Sequence, residues 1–439
     1  MKFKKKVFFD IHSWIGIKLS ILFFIVCFSG TIATLSHEMD WLFIPEMRAE
    51  EQNVRASKNQ IILNLRAAYP NGTFTYWAAS EEPYLCDIIY VVQDEKQVYA
   101  FANPYTGVIQ GHASITFQRF FRDLHYYLFI PFQVGHFTVL IFSFLLLISL
   151  TTALLFYKKW YSKLFELKIH NGPLVFFRSL HRLVGLWSIP FTLLFSITGI
   201  WYFAERTNIG NLSDIANPKA PKIESRFSEE PNASDFVFTV DYSLAEQKAQ
   251  KAIPGLIIKD ILPPKNPTEP IYLTGLSDVP LVRNRANRVY LDPKDYKVIG
   301  VQNAAELNTA TYLNDIADPI HFGNWGGLIT KVIWFVMGMG ISSLILTGIW
   351  ISLKRKVKSR AKQMKQRMGV WKYLNWAMFL VVIGFMYAAL ISNYHATPAA
   401  FITITAGWFV FITLAWYLFE VKLREIAATE LKQERTKVI

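Results

Sequence analysis

Six long apolar runs constrain this chain of 439 residues more than any other feature of its sequence. Each run approaches or exceeds the roughly 20 residues that a helix needs to cross about 30 Å of hydrocarbon. The runs occupy residues 14–36, 132–157, 183–203, 328–353, 374–393 and 399–420. A soluble protein would not carry six of them, and a chain with 52% hydrophobic residues is not a disordered one. The sequence therefore predicts a membrane protein with an all-α transmembrane core.

The basic residues predict how these spans are oriented. The chain has 46 Lys and Arg against 33 Asp and Glu, a formal net charge of +13. Basic residues concentrate before the first span, in 158–182, in 354–372 and after 420. These patches lie in every second connection, as the positive-inside rule requires when both termini are cytoplasmic. Topology thus accounts for the basicity, and no nucleic-acid partner is expected, because such a partner would need a basic patch on a soluble domain.

This topology divides the chain into ten segments. We predict TM1 with a cytoplasmic N-terminus at 1–37, a first exterior domain at 38–124, TM2 at 125–157, a cytoplasmic loop at 158–180, TM3 at 181–203, a second exterior domain at 204–320, TM4 at 321–353, a basic cytoplasmic loop at 354–372, a TM5–TM6 hairpin at 373–421 and a cytoplasmic tail at 422–439. Strand-like runs at 87–93, 97–101, 288–292 and 298–300 predict that both exterior domains are of the α+β class.

Cys27 lies within the first predicted span and Cys86 in a predicted exterior segment, so no internal disulfide is expected. The chain has no Cys-x-x-Cys-His motif and no cysteine cluster. Covalently attached haem and iron–sulfur centres are therefore excluded.

An internal repeat carries four histidines to equivalent places. His12 and His181 begin TM1 and TM3, and each is followed by glycine at offsets of +4 and +18, which gives Gly16, Gly30, Gly185 and Gly199. His125 and His321 precede the apolar parts of TM2 and TM4, each with threonine at +26 and a basic pair from +33. The last two spans lie outside this duplication.

Ionisable side chains inside a membrane are costly unless they are paired or coordinate something. Two neutral imidazoles facing each other across a helical bundle can hold a haem without covalent attachment. At 100° per residue, the histidine and both glycines of TM1, and likewise those of TM3, would share one helix face with room for a flat macrocycle. The alternative is that the histidines are interfacial side chains and that the glycines serve close helix packing.

Four further residues are secondary candidates. His136 and His37 could substitute as iron ligands, and His37 could instead bind a propionate or a ferric substrate. Lys18 and Lys331 lie within spans and could pair with haem propionates, although snorkelling to the interface is the simpler interpretation.

The motifs DIHSWIGI from residue 10, SLHRLVGLW from 179, FRDLHYYLF from 121 and PIHFGNWGG from 319 resemble the PepSY-associated transmembrane family over about residues 8–356. The resemblance implies a multi-pass protein of the bacterial inner (cytoplasmic) membrane with two periplasmic PepSY-like domains. It also implies a four-helix haem-binding bundle built from two repeats, with two extra C-terminal helices. The haem-associated histidines would be His12, His125, His181 and His321.

The resemblance further implies that two b-type haems are bound and that a ferric siderophore, or another Fe(III) chelate, is reduced on the periplasmic side for iron acquisition. The chain has no flavin or nicotinamide fingerprint, so the electron donor would be a cytoplasmic protein or a membrane quinol. The rival interpretation is a non-enzymatic, membrane-anchored PepSY protein with a binding or regulatory role, and an iron permease ranks last because the spans contain few acidic residues.

Overall fold

A computed structural model of the chain describes residues 5–170, 172–223, 233–358, 370–417 and 421. The first lysines of the chain, most of the basic loop predicted at 354–372 and the tail predicted at 422–439 lie outside the described residues.

Sixteen helices are described in this part of the chain. They are α1 (Lys5–Lys18), α2 (Ser20–Ala33), α3 (Ser36–Phe43), α4 (Lys58–Ala68), α5 (Phe117–Tyr127), α6 (Phe132–Phe156), α7 (Pro173–Trp187), α8 (Ile189–Arg206), α9 (Leu212–Ala216), α10 (Ala233–Phe236), α11 (Tyr242–Ala252), α12 (Thr309–Asp315), α13 (Ala317–Phe322), α14 (Gly327–Lys358), α15 (Val370–Ser392) and α16 (Pro398–Trp416).

Eight strands form one antiparallel sheet in the order β4-β3-β2-β1-β5-β6-β7-β8. They are β1 (Thr73–Ala78), β2 (Asp87–Gln93), β3 (Lys96–Ala102), β4 (Ile109–Ala113), β5 (Ile257–Leu262), β6 (Ile271–Leu276), β7 (Asn287–Leu291) and β8 (Val298–Gln302).

Three of the six predicted spans are single helices long and apolar enough to cross a membrane, namely those in α6, α14 and α15. TM1 and TM3 are instead bent pairs: α1 meets α2 at 74°, and α7 meets α8 at 59°. Counting each bent pair as one span gives up to five, by length and composition. The sixth predicted run falls on α16, whose apolar part, Pro398–Leu414, is shorter. The described residues thus support a helical membrane core, with fewer unbroken spans than predicted.

The two bends occur at equivalent places in the repeat. Leu19 separates α1 from α2, and Ser188 separates α7 from α8, seven residues after His12 and His181 respectively. A count of 100° per residue cannot be carried across such a break. The prediction that each histidine shares a helix face with the glycine at +18 is therefore wrong, whereas the glycine at +4 does lie on the histidine's own helix.

The two segments predicted to be exterior confirm the predicted strands but form a single sheet. Each segment contributes four strands, and β1 pairs with β5 at Trp77 and Ile261, which joins the two halves edge to edge. Helices α4 and α11 cover one face of the sheet. Their apolar side chains bury Phe74 and Trp77 between the helices and the strands. The sequence predicted two exterior domains and gave no sign that they share one sheet.

The sheet continues directly into the helical core. Strand β4 leads into α5, and strand β8 leads through α12 into α13. At the second junction Arg285 pairs with Glu205 at 3.0 Å, and Arg283 pairs with Asp318 at 2.9 Å. The C-terminal helices α15 and α16 pack against α2 in one apolar cluster.

Candidate functional site

His12 and His181 face each other, and we call them the cavity pair. They lie on the first helix of each bent pair, α1 and α7, and their ring centres are 6.4 Å apart with the ring planes at 85°. Helix α1 packs along α6, and α7 packs along α14, so the two long helices hold the histidines. Both side chains line one cavity of about 930 Å³.

His125 and His321 form a second pair, the sheet-side pair, on helices that follow the two outermost strands. Their ring centres are 6.2 Å apart, and the planes are inclined by only 28°. The ring of His321 also contacts Phe195 and Tyr202, each with ring centres 5.4 Å away. The structure therefore brings together the histidines that the repeat had matched by position.

Every one of these four rings is held by a hydrogen bond at Nδ1. His12 Nδ1 lies 3.0 Å from the carbonyl oxygen of Ser149, and His125 Nδ1 lies 2.9 Å from that of Val26. A carbonyl oxygen can only accept, so Nδ1 carries the proton in both rings. The other ring nitrogen, Nε2, then keeps a free lone pair when the imidazole is neutral.

The other two histidines use threonine hydroxyls to reach the same state. His181 Nδ1 lies 2.9 Å from Thr347 Oγ1, and His321 Nδ1 lies 2.7 Å from Thr198 Oγ1. Each hydroxyl already donates its proton within its own helix, at 2.8 Å to the carbonyl oxygens of Ser343 and Leu194. A hydroxyl that keeps this helical bond has no second proton to give, and it then accepts from Nδ1 of the histidine. Metal-binding histidines typically donate their second ring N–H to the protein in this way.

The ring separations fit two ligands on one metal ion. Imidazoles on opposite sides of a metal have centres about 6 Å apart, given a metal–nitrogen bond of about 2 Å and roughly 1.1 Å from nitrogen to ring centre. Both pairs match, at 6.4 and 6.2 Å. Ordinary aromatic contacts span about 4.5–7 Å. The common Nδ1–H bonding, rather than the distance alone, is what favours ligands over packing.

The cavity around His12 and His181 has an apolar wall and a basic rim. Ligand pockets are typically about 300–1,000 Å³, mostly apolar, with a few polar groups that fix orientation. Two of its four basic residues, Lys168 and Arg182, pair with Glu166 at 3.2 and 3.6 Å, so the other two would suit a ligand that carries carboxylates at one end. The four are Lys18, Lys168, Arg178 and Arg182.

The four predicted glycines divide into two kinds. Gly16 and Gly185 line the cavity, and a Cβ added at Gly16 would meet nothing within 4 Å. A Cβ at Gly30 would instead meet the ring of His125 at 2.6 Å, and one at Gly199 would meet Ser143 Cβ at 2.6 Å. The expectation of open space holds for the +4 glycines. It is wrong for the +18 glycines, which permit close packing beyond the helix breaks.

The two candidate lysines have different surroundings. Lys18 lines the cavity, and its ammonium lies 5.4 Å from the ring centre of Trp371. Lys331 is buried and pairs with Glu38 at 2.9 Å and with Glu82 at 2.7 Å. Two carboxylates already balance the charge of Lys331, so the structure does not support the prediction that it pairs with a propionate.

His136 and His37 are placed apart from the two pairs. His136 is buried against Tyr126 and Phe132, with ring centres 4.3 and 5.3 Å away. His37 follows α2 and lies in helix α3. The structure thus favours His125 over the substitute ligands.

Sequence reasoning missed the groups that orient the histidines. Thr347 is the threonine at +26 from His321, but its hydroxyl contacts His181 of the other pair. Its repeat counterpart Thr151 bonds its own helix, and Ser149 serves His12 instead. The threonine at +26 could have been predicted to bond a histidine. The sequence does not show which histidine it bonds.

Among the described residues, no group of three or more His, Cys, Asp or Glu side chains could hold a bare metal ion. A haem requires less of the protein, because the porphyrin supplies four of the six nitrogen ligands and the chain supplies only the axial ones. Two histidines per site, with fixed tautomers, are therefore the donor set that a haem uses.

Comparisons with known proteins locate the chain in a family. No curated protein matches it. The family model described as "PepSY-associated TM region" matches residues 9–355, which include both histidine pairs, the sheet and the first four predicted spans. Residues of α15 and α16 lie beyond this match. The chain therefore belongs to the PepSY-associated TM region family.

Proposed function

We propose that this membrane protein binds two b-type haems, one at each histidine pair, and reduces an Fe(III) chelate outside the cytoplasm with electrons from the cytoplasmic side. The observation that carries the proposal is the state of the four imidazoles. Each of the four places Nδ1 within 2.7–3.0 Å of a protein oxygen, which leaves Nε2 for a ligand, and the ring centres of the two pairs are 6.4 and 6.2 Å apart.

A bound haem would supply one-electron chemistry between Fe(III) and Fe(II). The chain's own residues prepare the site for it. Ser149 and Thr347 fix the rings of the cavity pair, and Val26 and Thr198 fix those of the sheet-side pair. Because the tautomers are set in advance, ligand binding requires little reorganisation. A neutral imidazole is the form that binds a metal.

Two separated sites suit transfer across a membrane, since hydrocarbon about 30 Å thick is a long distance for one centre. The cavity pair lies in α1 and α7, and the sheet-side pair adjoins the sheet. With basic loops on the cytoplasmic side, the sheet would face the periplasm of a bacterial inner membrane and both termini would be cytoplasmic. The donor would be a cytoplasmic protein or a quinol.

The acceptor would be a ferric siderophore or a similar chelate. Hard oxygen donors bind the more highly charged Fe(III) in preference to Fe(II). One-electron reduction of the chelate would therefore release iron for import.

The deciding experiment is to purify the protein in detergent and record oxidised and dithionite-reduced absorption spectra. We expect the Soret and α bands of low-spin b haem, with two haems per chain by pyridine haemochrome assay. A colourless protein whose function survives replacement of all four histidines would overturn the proposal. That result would favour a membrane-anchored binding or regulatory protein.

A further inference from the structure

The C-terminal helix pair, which lies beyond the family match, contacts the helix break between α1 and α2. Asn375 on α15 is only 2% exposed and lies beside this break. Its Nδ2 donates to the carbonyl oxygen of Lys18 at 2.5 Å, and its Oδ1 accepts from the backbone N–H of Ile21 at 3.3 Å. A single side chain thus bonds the last residue of α1 and the second residue of α2.

A break of 74° leaves backbone groups without helical partners. An unpaired backbone group buried in an apolar medium is strongly unfavourable. Among uncharged side chains, an amide can both donate and accept across two separate groups. Asn375 therefore stabilises the bent arrangement over a straight helix, in which Lys18 and Ile21 would have other partners.

In the second copy of the repeat, residues at the break between α7 and α8 make these hydrogen bonds themselves. Ser188 at its break donates from its backbone N–H to Val184 at 2.9 Å and from its hydroxyl to Gly185 at 3.2 Å. The residue equivalent to Ile21, nine positions after the histidine, is Pro190. Proline has no N–H to satisfy and is well accommodated in the first turn of a helix.

The two copies thus differ at the backbone nitrogen of the residue nine positions after the histidine. Where the second copy has proline, the first copy has an N–H, and Asn375 bonds that N–H. Apolar packing adds to this contact: Phe24 of α2 stacks on Phe411 of α16 at 5.6 Å, and Met386 of α15 is fully buried in the same cluster.

We propose that Asn375 is a positioning residue: the C-terminal helix pair fixes the bend between α1 and α2 and so sets where His12 stands against His181. The inference rests on the proposed function only for its haem readout. Its stability readout is independent of any cofactor.

The test compares Asn375→Leu with the double variant Asn375→Leu/Ile21→Pro. Asn393→Leu is the matched control, because Asn393 is exposed and follows the last residue of α15. The first readout is the melting temperature of protein prepared without haem. We expect Asn375→Leu to lower it by several degrees, Ile21→Pro to restore part of the loss, and the control to match the wild type. Without that recovery, or with no loss in the first place, the inference fails.

The second readout is the spectrum of each haem, assigned with His181→Ala and His321→Ala as references. We expect Asn375→Leu to weaken or shift the haem of the cavity pair and to spare the other, with recovery in the double variant. Equal loss of both haems would reduce Asn375 to a general stabilising role and would overturn the inference. If Asn375→Leu does not accumulate in cells, Asn375→Asp replaces it in both readouts. This variant keeps the acceptor for the N–H of Ile21 and removes the donor to the carbonyl oxygen of Lys18, so it tests the second of these hydrogen bonds.

A wild type that binds no haem would contradict the proposed function alone. The melting temperatures of the haem-free variants would still decide whether Asn375 holds the break.

Discussion

The two histidine pairs share one hydrogen-bonding scheme but have contrasting surroundings. The cavity pair lies on the first helices of two bent spans, beside open volume, with ring planes at 85°. The sheet-side pair lies on helices that continue from the sheet, with ring planes at 28° and Gly30 packed against His125. The two pairs thus share the way in which Nδ1 is bonded, while the packing around them differs.

This difference indicates how each pair responds to change. Beside the cavity pair, a Cβ added at Gly16 would meet nothing within 4 Å, so a substitution there should act mainly on what the cavity holds. Around the sheet-side pair, close packing means that the same substitutions displace the imidazoles themselves. Four predictions test this contrast, beginning with the largest expected effect.

Removing one ligand from each pair should separate the two sites. We expect His181→Ala to abolish the haem absorbance of the cavity pair and His321→Ala to abolish that of the sheet-side pair, because each iron loses an axial ligand. Reduced-minus-oxidised spectra and haem stoichiometry measure both effects. Spectra of either variant that retain both haems unchanged would refute the assignment of ligands.

Alanine at the glycines should distinguish close packing from open space. In Gly30→Ala the new Cβ would lie 2.6 Å from His125, so we expect a loss of about 1–3 kcal/mol of stability and selective damage to the sheet-side haem. In Gly16→Ala nothing lies within 4 Å, and better helix propensity should leave stability unchanged or raise it by about 0.5–1 kcal/mol. Melting temperatures and spectra of the two variants measure the contrast. Equal changes in melting temperature and spectrum for the two variants would contradict the difference in packing.

Much of this arrangement could be predicted from the sequence, because the repeat fixed which histidines correspond. Equal offsets after His12 and His181 predicted the pairing by depth, and the patterns at residues 87–93 and 288–292 predicted strands, although not the single sheet they share. Apolar runs of sufficient length located α6, α14 and α15. These features depend on local pattern and composition, which a single sequence carries.

The helix breaks and the groups that bond the histidines could not be predicted in the same way. Apolar runs do not distinguish a straight helix from a bent one, and at Leu19 the bend is stabilised by Asn375, 356 positions away. The proline at 190 was a usable sign of the second break. The pairing of β1 with β5 and the contact of Thr347 with His181 depend on tertiary structure alone.

The threonines that accept from Nδ1 should tune the two sites. Thr198→Val removes the acceptor of His321, and Thr347→Val removes that of His181. Loss of such a partner typically lowers metal affinity about 10–100-fold, so we expect weaker haem retention at the corresponding pair only. Thr151→Val is the control, because Thr151 is exposed and bonds its own helix. Haem loss to apomyoglobin measures retention. Faster haem loss from the pair that the substituted threonine does not contact, or from the Thr151→Val control, would contradict these threonine–histidine contacts.

The last effect appears only when the pH changes, and it should involve the sheet-side pair alone. Asp40 is fully buried, and its carboxylate accepts from the N–H of Phe117 at 2.6 Å and of Gln118 at 3.2 Å, in the first turn of the helix that carries His125. Burial raises the pKa of Asp40 from 3.8 to about 7, although the two N–H bonds oppose the rise. The folded state therefore binds more protons than the unfolded state between these values, and its stability from this group is present below pH 4 and lost as the pH rises through 7.

Asp40→Asn keeps an oxygen for Phe117 and removes the titration. Compared with this variant, the wild type should lose about 1–4 kcal/mol of stability between pH 4 and pH 7. Melting temperatures of both proteins across this range measure the difference, and the sheet-side haem should show the same trend in its retention. The cavity pair has no such carboxylate at the start of α1 or α7, where the first turns contain no acidic residue, so its haem should be insensitive. Parallel pH profiles for the two proteins would mean that Asp40 stays ionised throughout, because the helix N-terminus then outweighs burial.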